Sequence, residues 1–418
     1  TTVTTTLNSK LESGDSMTIT GSAFQIVQSE TRKGAASTSK VKFDTKARAK
    51  LESDSGKKIS SADTTHVEFD GKTNELQSLK QDGNFQFEEG ARSGSADHAN
   101  ITDGGKRTVL TGNFKFKEGT RTANASQAVI TDNGDKMDLS GGMSFRDGLR
   151  HGSAGHAFFE NGGDKVSLDT AAKVVDEDKK SEVQARTIHF NQKTNELEAT
   201  DDVTTISTAQ QDEVIIKAGH AKSDGDVMRY DRNAELWSGK TTYIHAARLI
   251  PDGKNGFRAE GTKASLVYSQ MEGMRAQAET MVYNDEKKIA TYTGNVHATK
   301  DDKGNPMILD SGDMTLVMYP ADSPDSRTNQ NGKLKQLVAN VRVSVTQGAR
   351  KGTGDHLVYD YATDHMTLTS DKGSPPVRVE DPAQGTFSGT NVQWSSATGN
   401  ITVSDDQGGK STLTPKAK

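Results

Sequence analysis

Apolar and polar residues alternate along much of the chain, and this pattern predicts β-strands. From residue 137 the alternate positions read Met137, Leu139, Gly141, Met143 and Phe145, and mostly charged or small polar residues separate them. Such alternation gives a strand one buried face and one solvated face. Residues 270–280 could form a short helix, but the glycine within them and the neighbouring strand patterns argue against it. The chain is therefore expected to be all-β.

The strand pattern repeats with a period of 29 residues. Three similar segments, GNFQFEEG, GNFKFKEG and GGMSFRDG, end at Gly90, Gly119 and Gly148. A fixed period in this range is typical of stacked supersecondary units, and about ten units are predicted from residue 61 onward. The predicted organisation is an N-terminal β segment or cap at 1–60, a main repeat array at 61–319, a loop at 320–332 and further repeats at 333–418.

Each unit is expected to contain two strands joined by a tight turn. The first strand is predicted to begin at an alanine and to cover residues 96–101, 125–130 and 154–159 in three successive units. The turns that follow are rich in Asp, Asn and Gly, which accept the positive φ of tight turns. A glycine in the middle of the second, longer strand predicts a kink there.

Composition limits the classes of protein and of partner. Only 31% of the residues are hydrophobic and the mean hydropathy is -0.74, which favours a thin core spread along an extended body. The absence of cysteine excludes disulfides and thiolate metal sites, and interspersed charges with a net charge of -5 argue against a nucleic-acid partner. No apolar run is long enough to predict a membrane-spanning helix. The chain opens with the polar residues TTVTTTLNSK rather than a signal peptide, which favours a processed, secreted protein.

No catalytic or metal-binding constellation is recognisable in the sequence. The ten histidines form no metal-ligand spacing, and His98 and His156 occupy equivalent repeat positions, which indicates a structural role. The carboxylates concentrate at turns, where Asp is favoured for backbone reasons. The sequence therefore predicts a protein that is not an enzyme and that has no catalytic residue, no metal site and no cofactor.

The apolar stripe formed by alternate strand positions is the candidate functional feature. It has two interpretations, a structural core between two sheets or a groove for an apolar ligand, and the sequence leaves both open. Its predicted inward-facing residues are Phe85, Phe87, Ile101, Leu110, Phe114, Phe116, Ile130, Leu139, Met143, Phe145, Phe159, Leu168, Met281, Tyr283, Tyr292, Val296, Leu357 and Tyr359.

Several segments resemble the OstA-like (LptA) family of lipopolysaccharide-transport proteins. They are residues 278–284 (AETMVYN) with 289–296 (IATYTGNV), residues 354–369 and residues 389–394, and repeated copies extend the resemblance over 61–405. The resemblance implies a β-jellyroll in which two sheets meet in a V around an apolar groove. It also implies that the groove carries lipopolysaccharide acyl chains across the periplasm towards the outer membrane.

The same resemblance implies partners that join through open sheet edges, either other β-jellyroll proteins or further copies of this chain end to end. The chain departs from the smallest family members in being more than twice as long. It also lacks the membrane anchor of the inner-membrane member and the barrel of the outer-membrane member. The alternative interpretation is a structural β-solenoid, a fibre-forming or surface protein without a lipid ligand. An enzyme or lectin built on a β-helix is a third and weaker interpretation.

Overall fold

The computed structural model describes most of the chain and divides it into two compact units. Unit 1 is Thr1–Ala209 and unit 2 is Gln210–Lys418. The described residues are 3–7, 17–21, 24–33, 36–45, 47–53, 58–73, 75–209, 212–224, 227–252, 256–301, 306–320, 323–324, 333–395, 398–404 and 410–413. Most of the predicted loop at 320–332 lies outside these residues, and the predicted segment boundaries stay predictions.

Strands make up almost all of the described part of unit 1, which confirms the all-β prediction. Three short 3-10 helical turns, Asp103–Gly105, Asp132–Gly134 and Asn161–Gly163, join strands within successive repeats. The strands are β1 (Val3–Leu7), β2 (Met17–Gly21), β3 (Phe24–Lys33), β4 (Ala36–Thr45), β5 (Ala49–Ser53), β6 (Lys58–Ala62), β7 (Thr64–Asp70), β8 (Leu76–Glu89), β9 (Arg92–Thr102), β10 (Arg107–Glu118), β11 (Arg121–Thr131), β12 (Lys136–Asp147), β13 (Arg150–Glu160), β14 (Lys165–Asp176), β15 (Ser181–Asn191) and β16 (Glu196–Ser207).

The strands of unit 1 form an antiparallel meander that begins as two branches. The first half of β8 pairs with β7 and its second half pairs with β6. One branch continues from β7 to β4 and β3, and the other continues from β6 to β5, β2 and β1. From β8 to β16 each strand pairs with the next along its full length.

Unit 2 is built in the same way from strands of more varied length. Its strands are β17 (Val214–Asp224), β18 (Val227–Ser238), β19 (Thr242–Pro251), β20 (Phe257–Glu260), β21 (Val267–Met271), β22 (Met274–Ala278), β23 (Thr280–Asn284), β24 (Ile289–Lys300), β25 (Met307–Met318), β26 (Leu334–Gln347), β27 (Arg350–Asp360), β28 (His365–Thr369), β29 (Val377–Asp381), β30 (Gly385–Gly389), β31 (Asn391–Ser395), β32 (Ile401–Ser404) and β33 (Lys410–Leu413).

The meander of unit 2 divides and rejoins. Strand β19 pairs with both β20 and β21, and these two branches rejoin on β24 through β23 and β22. Strands β24 to β27 then pair in sequence, and β27 divides again onto β28 and β29. Among the described residues, no helix is long and apolar enough to cross a membrane.

A β-bulge bends the long strands at their midpoints, as the mid-strand glycines predict. In β10, Gly112 and Asn113 both have positive φ and together lie opposite the single residue Ser126. Two residues against one disrupt the ladder and turn the strand. The Asn113 side chain donates a hydrogen bond of 3.0 Å to Asp97 on the neighbouring strand, which fixes the bend. In β14 the non-glycine residues Thr170 and Ala171 adopt the same conformation.

Small and large side chains occupy alternate strands in the interior of unit 1. The inward positions beside the bulges are alanines in β9, β11 and β13, whereas β10 and β12 place leucine, methionine and phenylalanine there. Large side chains therefore pack over small ones, and neighbouring layers interdigitate. The prediction that the first strand of a unit begins at alanine is wrong, because β9 begins at Arg92 and Ala96 lies beside its bend. The V-shaped cross-section implied by the resemblance stays a prediction.

Candidate functional site

An apolar groove lies along the interior of unit 1. One part of it holds about 1430 Å³ of space open to solvent, with a floor built from β5, β6 and β8 to β11. Its apolar lining is Leu51, Ile59, Leu76, Leu79, Phe85, Phe87, Ile101, Leu110 and Ile130. In β8, inward residues on both sides of the bulge line this space, Leu79 before it and Phe85 and Phe87 after it.

A second part of the groove adjoins the first and extends it towards β13. It encloses about 800 Å³ and shares Phe87 and Ile130 with the first part. Its floor adds Phe116, Ala123, Met137, Phe145 and Phe159. The two parts therefore form one continuous lining, which we call the unit 1 groove.

The rims of the unit 1 groove are polar. One rim, the corner rim, comprises the strand ends around 89–92, 118–121 and 147–150, and the other, the turn rim, comprises the 3-10 turns. On the corner rim, Arg92 Nε donates to Glu118 Oε1 at 2.8 Å, and Arg121 Nε donates to Asp147 Oδ2 at 3.0 Å. On the turn rim the glycines Gly104, Gly105, Gly134, Gly162 and Gly163 face the opening. An apolar floor between polar rims suits an amphipathic ligand.

Aromatic rings meet across the end of the groove near β13. The ring of Phe145 lies 6.1 Å from that of Phe159, edge to face, and 5.9 Å from that of Phe190, stacked. Such pairs are worth about 0.5–1.5 kcal/mol each beyond the apolar area they bury. Phe190 is buried, whereas Phe159 is half-buried and lines the groove. The ring of Phe145 therefore joins the groove residue Phe159 to the buried Phe190.

The structure separates the predicted stripe residues into two groups. Eight line the unit 1 groove, and among these Phe87, Ile101, Phe116, Ile130 and Phe159 are half-buried. The others do not line it: Phe114, Leu139, Met143, Leu168, Met281, Tyr292, Val296, Leu357 and Tyr359 are buried and Tyr283 is half-buried. Every predicted residue thus lies at least partly inside the protein, and their role as ligand contacts stays a prediction.

Buried tyrosines of unit 2 have hydrogen-bond partners inside the protein. The Tyr292 hydroxyl lies 2.9 Å from Ser269 Oγ, and burial raises the pKa of Tyr292 to about 12. The Tyr359 hydroxyl donates to Asp364 at 2.7 Å, and that of Tyr283 donates to Asp285 at 2.8 Å. Burial, followed by the contact with Asp285, raises the pKa of Tyr283. These residues behave as parts of a packed core.

Several groove residues were missed by the sequence interpretation. Arg92 and Arg121 stand on the rim, and Leu51, Leu76 and Leu79 come from the short strands and the first half of β8. The arginines carried a usable signal, because Arg92, Arg121 and Arg150 follow the same 29-residue period as the closing glycines. Leu51 carried none, since it precedes the predicted repeat array, and Leu76 and Leu79 lie in the first predicted unit, outside the three aligned segments.

The histidines predicted to be structural pair with carboxylates of neighbouring strands. A ring nitrogen of His98 lies 2.8 Å from Asp82, and one of His156 lies 2.8 Å from Asp138. Both partners belong to the preceding strand, but Asp82 lies directly opposite His98 and contacts Nδ1, whereas Asp138 lies diagonally from His156 and contacts Nε2. Within the described part of the chain, no group of three or more His, Asp or Glu residues could hold a metal ion.

Comparison with known proteins identifies the family. No curated protein matches the chain. The sequence does match the family described as LptA/(LptD N-terminal domain) LPS transport protein, over residues 93–236 and 275–374, which is more than half of the chain. The first matched segment includes most of the strands that form the unit 1 groove. The second includes residues 278–296 and 354–369, which carry the sequence resemblance, whereas residues 389–394 lie beyond it. The chain belongs to this family of lipopolysaccharide-transport proteins.

Proposed function

We propose that the protein is a periplasmic carrier that holds the acyl chains of lipopolysaccharide in the unit 1 groove and passes them towards the outer membrane. The observation that carries this proposal is the continuous apolar floor between two polar rims. Each methylene that leaves water for such a floor gains about 0.8 kcal/mol. A floor made of repeated strands offers an acyl chain equivalent contacts along its length. The acyl chain can therefore slide along the floor without one specific pocket.

The family membership supports the lipid. The strand pairing supports the partners, since among the described pairings of unit 1 β1 pairs with β2 alone and β3 with β4 alone. We propose that other β-jellyroll proteins, or further copies of this chain, join through such edge strands by strand pairing. In this role the protein binds and hands over its ligand and performs no covalent chemistry. The alternative, a structural protein without a lipid, predicts that the groove stays inaccessible to lipids.

Photo-crosslinking separates these two functions. A photoreactive residue at Phe116, which is half-buried and lines the groove, is expected to form an adduct with lipopolysaccharide. The same residue at the neighbouring Lys115, which is exposed, serves as the matched control and is expected to form none. Met281, which is fully buried in unit 2, is expected to form none either. If photoreactive residues at positions Phe116 and Phe87 both form no adduct, the proposed carrier function is contradicted.

Substitution at the same two positions gives an independent test. Phe116→Asp places a charge on the apolar floor and is expected to lower lipopolysaccharide affinity at least tenfold, since an uncompensated charge in an apolar site costs well over the ~1.4 kcal/mol per tenfold change. Lys115→Asp changes an exposed charge and is expected to have little effect. Equal losses of affinity in the two variants would mean that the assignment of inward and outward faces is wrong.

A further inference from the structure

Two arginines of the corner rim reach across the opening of the unit 1 groove. Arg121 is held on its own rim by Asp147, and its Nη1 donates a 3.0 Å hydrogen bond to the carbonyl oxygen of Gly162 on the turn rim. Arg92 is held in the same way by Glu118, and its Nη1 lies against Gly134 so closely that a Cβ there would be 2.6 Å away. Each side chain therefore spans the opening between the rims, one repeat apart.

The apolar floor lies directly beneath these two side chains. Arg92, Arg121, Gly134 and Gly162 line the same space as Phe116 and the other floor residues. A ligand whose chains occupy the floor and whose polar group stays in water must pass the guanidinium groups. The arginines are thus placed where the polar and apolar parts of an amphiphile meet.

We propose that Arg92 and Arg121 are straps that close the opening of the groove when it is empty and bind the anionic oxygen atoms of a lipid headgroup when it is loaded. This inference rests on the proposed carrier function. A guanidinium has five N–H donors, and Arg121 uses one on Asp147 and one on a neutral carbonyl. An anionic oxygen is a stronger acceptor than a carbonyl, so it displaces the contact with Gly162 while the ion pair on the corner rim persists.

The glycines of the turn rim make this exchange possible. Gly134 has a positive φ and no side chain, and the Arg92 guanidinium occupies the space that a Cβ there would need. Side-chain exposure of 30% for Arg92 and 39% for Arg121 leaves room for an incoming headgroup. Two carboxylates that also line the space, Glu89 and Asp135, repel an anion and limit the preference to a moderate one.

Arg150 supplies a matched control one repeat further on. It makes the equivalent ion pair, Nη2 to Asp176 Oδ2 at 3.2 Å, but its guanidinium lies 6.0 Å from the centroid of the Phe190 ring. Arg150 does not line the groove. The straps and the control therefore share their position in the repeat and their ion pair, and they differ in what the guanidinium faces.

The first test compares two amphiphiles with the same twelve-carbon chain, dodecyl phosphate and dodecyl maltoside, below their critical micelle concentrations. The wild type is expected to bind the phosphate about tenfold more tightly, the gain of one charged hydrogen bond. Arg92→Gln with Arg121→Gln should abolish the preference while maltoside binding persists, and Arg150→Gln should retain it. Inorganic phosphate alone should not compete with dodecyl phosphate, because the dodecyl chain supplies most of the binding affinity.

The outcomes distinguish the straps from the carrier function. Equal binding of both amphiphiles by the wild type, or a preference that survives in the double variant, would overturn the straps alone. Competition by millimolar inorganic phosphate would overturn the headgroup site, because it would show a free-anion site. Failure of the wild type to bind either amphiphile would overturn the carrier function and the straps together.

A distance measurement tests the closure itself. The chain has no cysteine, so Thr120→Cys and Asn161→Cys place spin labels on the two rims beside Arg121 and Gly162 without other labelling. Both positions are exposed. Dodecyl phosphate is expected to lengthen the distance between the labels, and Arg121→Gln should lengthen it without ligand. An unchanged distance under both conditions would overturn the strap.

Discussion

The repeats at residues 76–163 and those at residues 267–395 share the same strand pattern, but their interiors differ in how much apolar surface they leave open. In the first region, Phe87 and Phe116 are half-buried and face the space of the groove. In the second, Tyr292 and Trp394 are each 1% exposed. The comparison teaches that the same kind of repeat can leave an open apolar groove or form a packed core, depending on how completely the inward side chains fill the interior.

Polar groups are also treated differently in the two regions. In residues 267–395 they are drawn into the core and paired there: Trp394 Nε1 donates to Gln347 at 3.1 Å, and Arg350 Nη2 donates to Asp381 at 2.7 Å. In residues 76–163 the pairs Arg92–Glu118 and Arg121–Asp147 lie part-exposed on the corner rim. The buried Gln81 of β8, which accepts a 2.8 Å hydrogen bond from Ser60, is an exception in this region. Buried and satisfied hydrogen bonds fix one arrangement of a core. Rim charges leave the floor free for a ligand, so we expect the two regions to respond differently to equivalent substitutions.

The largest difference is expected for truncation of a large ring. Trp394→Ala should lower the free energy of unfolding of unit 2 by about 4 kcal/mol, because it opens a cavity in a packed core. Phe116→Ala should cost about 1 kcal/mol, since the ring is already half-exposed. Denaturant unfolding followed by fluorescence of Trp237, the only other tryptophan, measures the first. Hydrogen exchange of the β10 and β11 amides measures the cost of Phe116→Ala. Similar losses of stability in Trp394→Ala and Phe116→Ala would contradict the contrast between a packed core and an open groove.

The next largest difference is expected for the arginine–carboxylate pairs. The side chains of Arg350 and Asp381 are 12% and 10% exposed, whereas those of Arg121 and Asp147 are 39% and 24% exposed. Removing one partner of a buried pair leaves an uncompensated charge, so Arg350→Gln should cost about 3 kcal/mol. Arg121→Gln should cost under about 1 kcal/mol, as is usual for exposed pairs. Arg378→Gln, which removes an exposed partner of Glu380, is the control within unit 2.

The pH dependence of the same variant sharpens this prediction. Burial raises the pKa of Asp381, but hydrogen bonds from Arg350 and from the backbone of Ala383 and Gln384 outweigh it and leave the pKa below the ordinary value of 3.8. A carboxyl with a lowered pKa stabilises the fold above its unfolded-state pKa and loses that contribution as the pH falls through its folded-state pKa. The difference in free energy of unfolding between the wild type and Arg350→Gln should therefore become smaller below pH 3.8. A difference in unfolding free energy that stays constant down to pH 2 would argue against a stabilising ion pair between Arg350 and Asp381.

Local features of the repeat could be predicted from the sequence. The sequence could not predict which inward side chains are covered by residues from other strands and which stay exposed. Alternation is a property of one strand, so Phe114 and Phe116 were both assigned inward. The bend at Gly112 could also be predicted locally, because glycine accepts a positive φ, whereas the same bend at Thr170 and Ala171 has no such signal in residue type. Which of the two rings is exposed depends on the opposite strand halves. The contact from Arg121 to Gly162 joins residues 41 apart, and no local pattern encodes it.

A smaller effect is expected for the buried phenol of Tyr292. Tyr292→Phe removes its hydrogen bond with Ser269 and should cost about 1–2 kcal/mol, because Ser269 is left buried without that partner. The pKa of about 12 lies above the ordinary value of 10, so the phenol stabilises the fold below pH 10 and this contribution is lost as the pH rises towards 12. The variant should lose less stability than the wild type over this range. If the wild type and Tyr292→Phe lose equal amounts of unfolding free energy between pH 10 and 12, the protonated phenol of Tyr292 does not stabilise the fold as proposed.

The smallest effect concerns the bends, which both regions share. Ala171 in β14 and Gly142 in β12 occupy the same place in successive repeats, and both have a positive φ, 54° and 78°. A left-handed conformation costs a non-glycine residue about 1 kcal/mol, offset in part by the entropy that glycine loses on folding. Ala171→Gly is therefore expected to stabilise unit 1 by about 0.5 kcal/mol. Gly142→Ala, where a Cβ meets no atom within 4 Å, should destabilise it by a similar amount through strain alone. Opposite signs in the two variants would show that backbone conformation sets the bend in these two repeats of unit 1, whereas a loss of stability in both would mean that Ala171 contributes contacts that outweigh its strain.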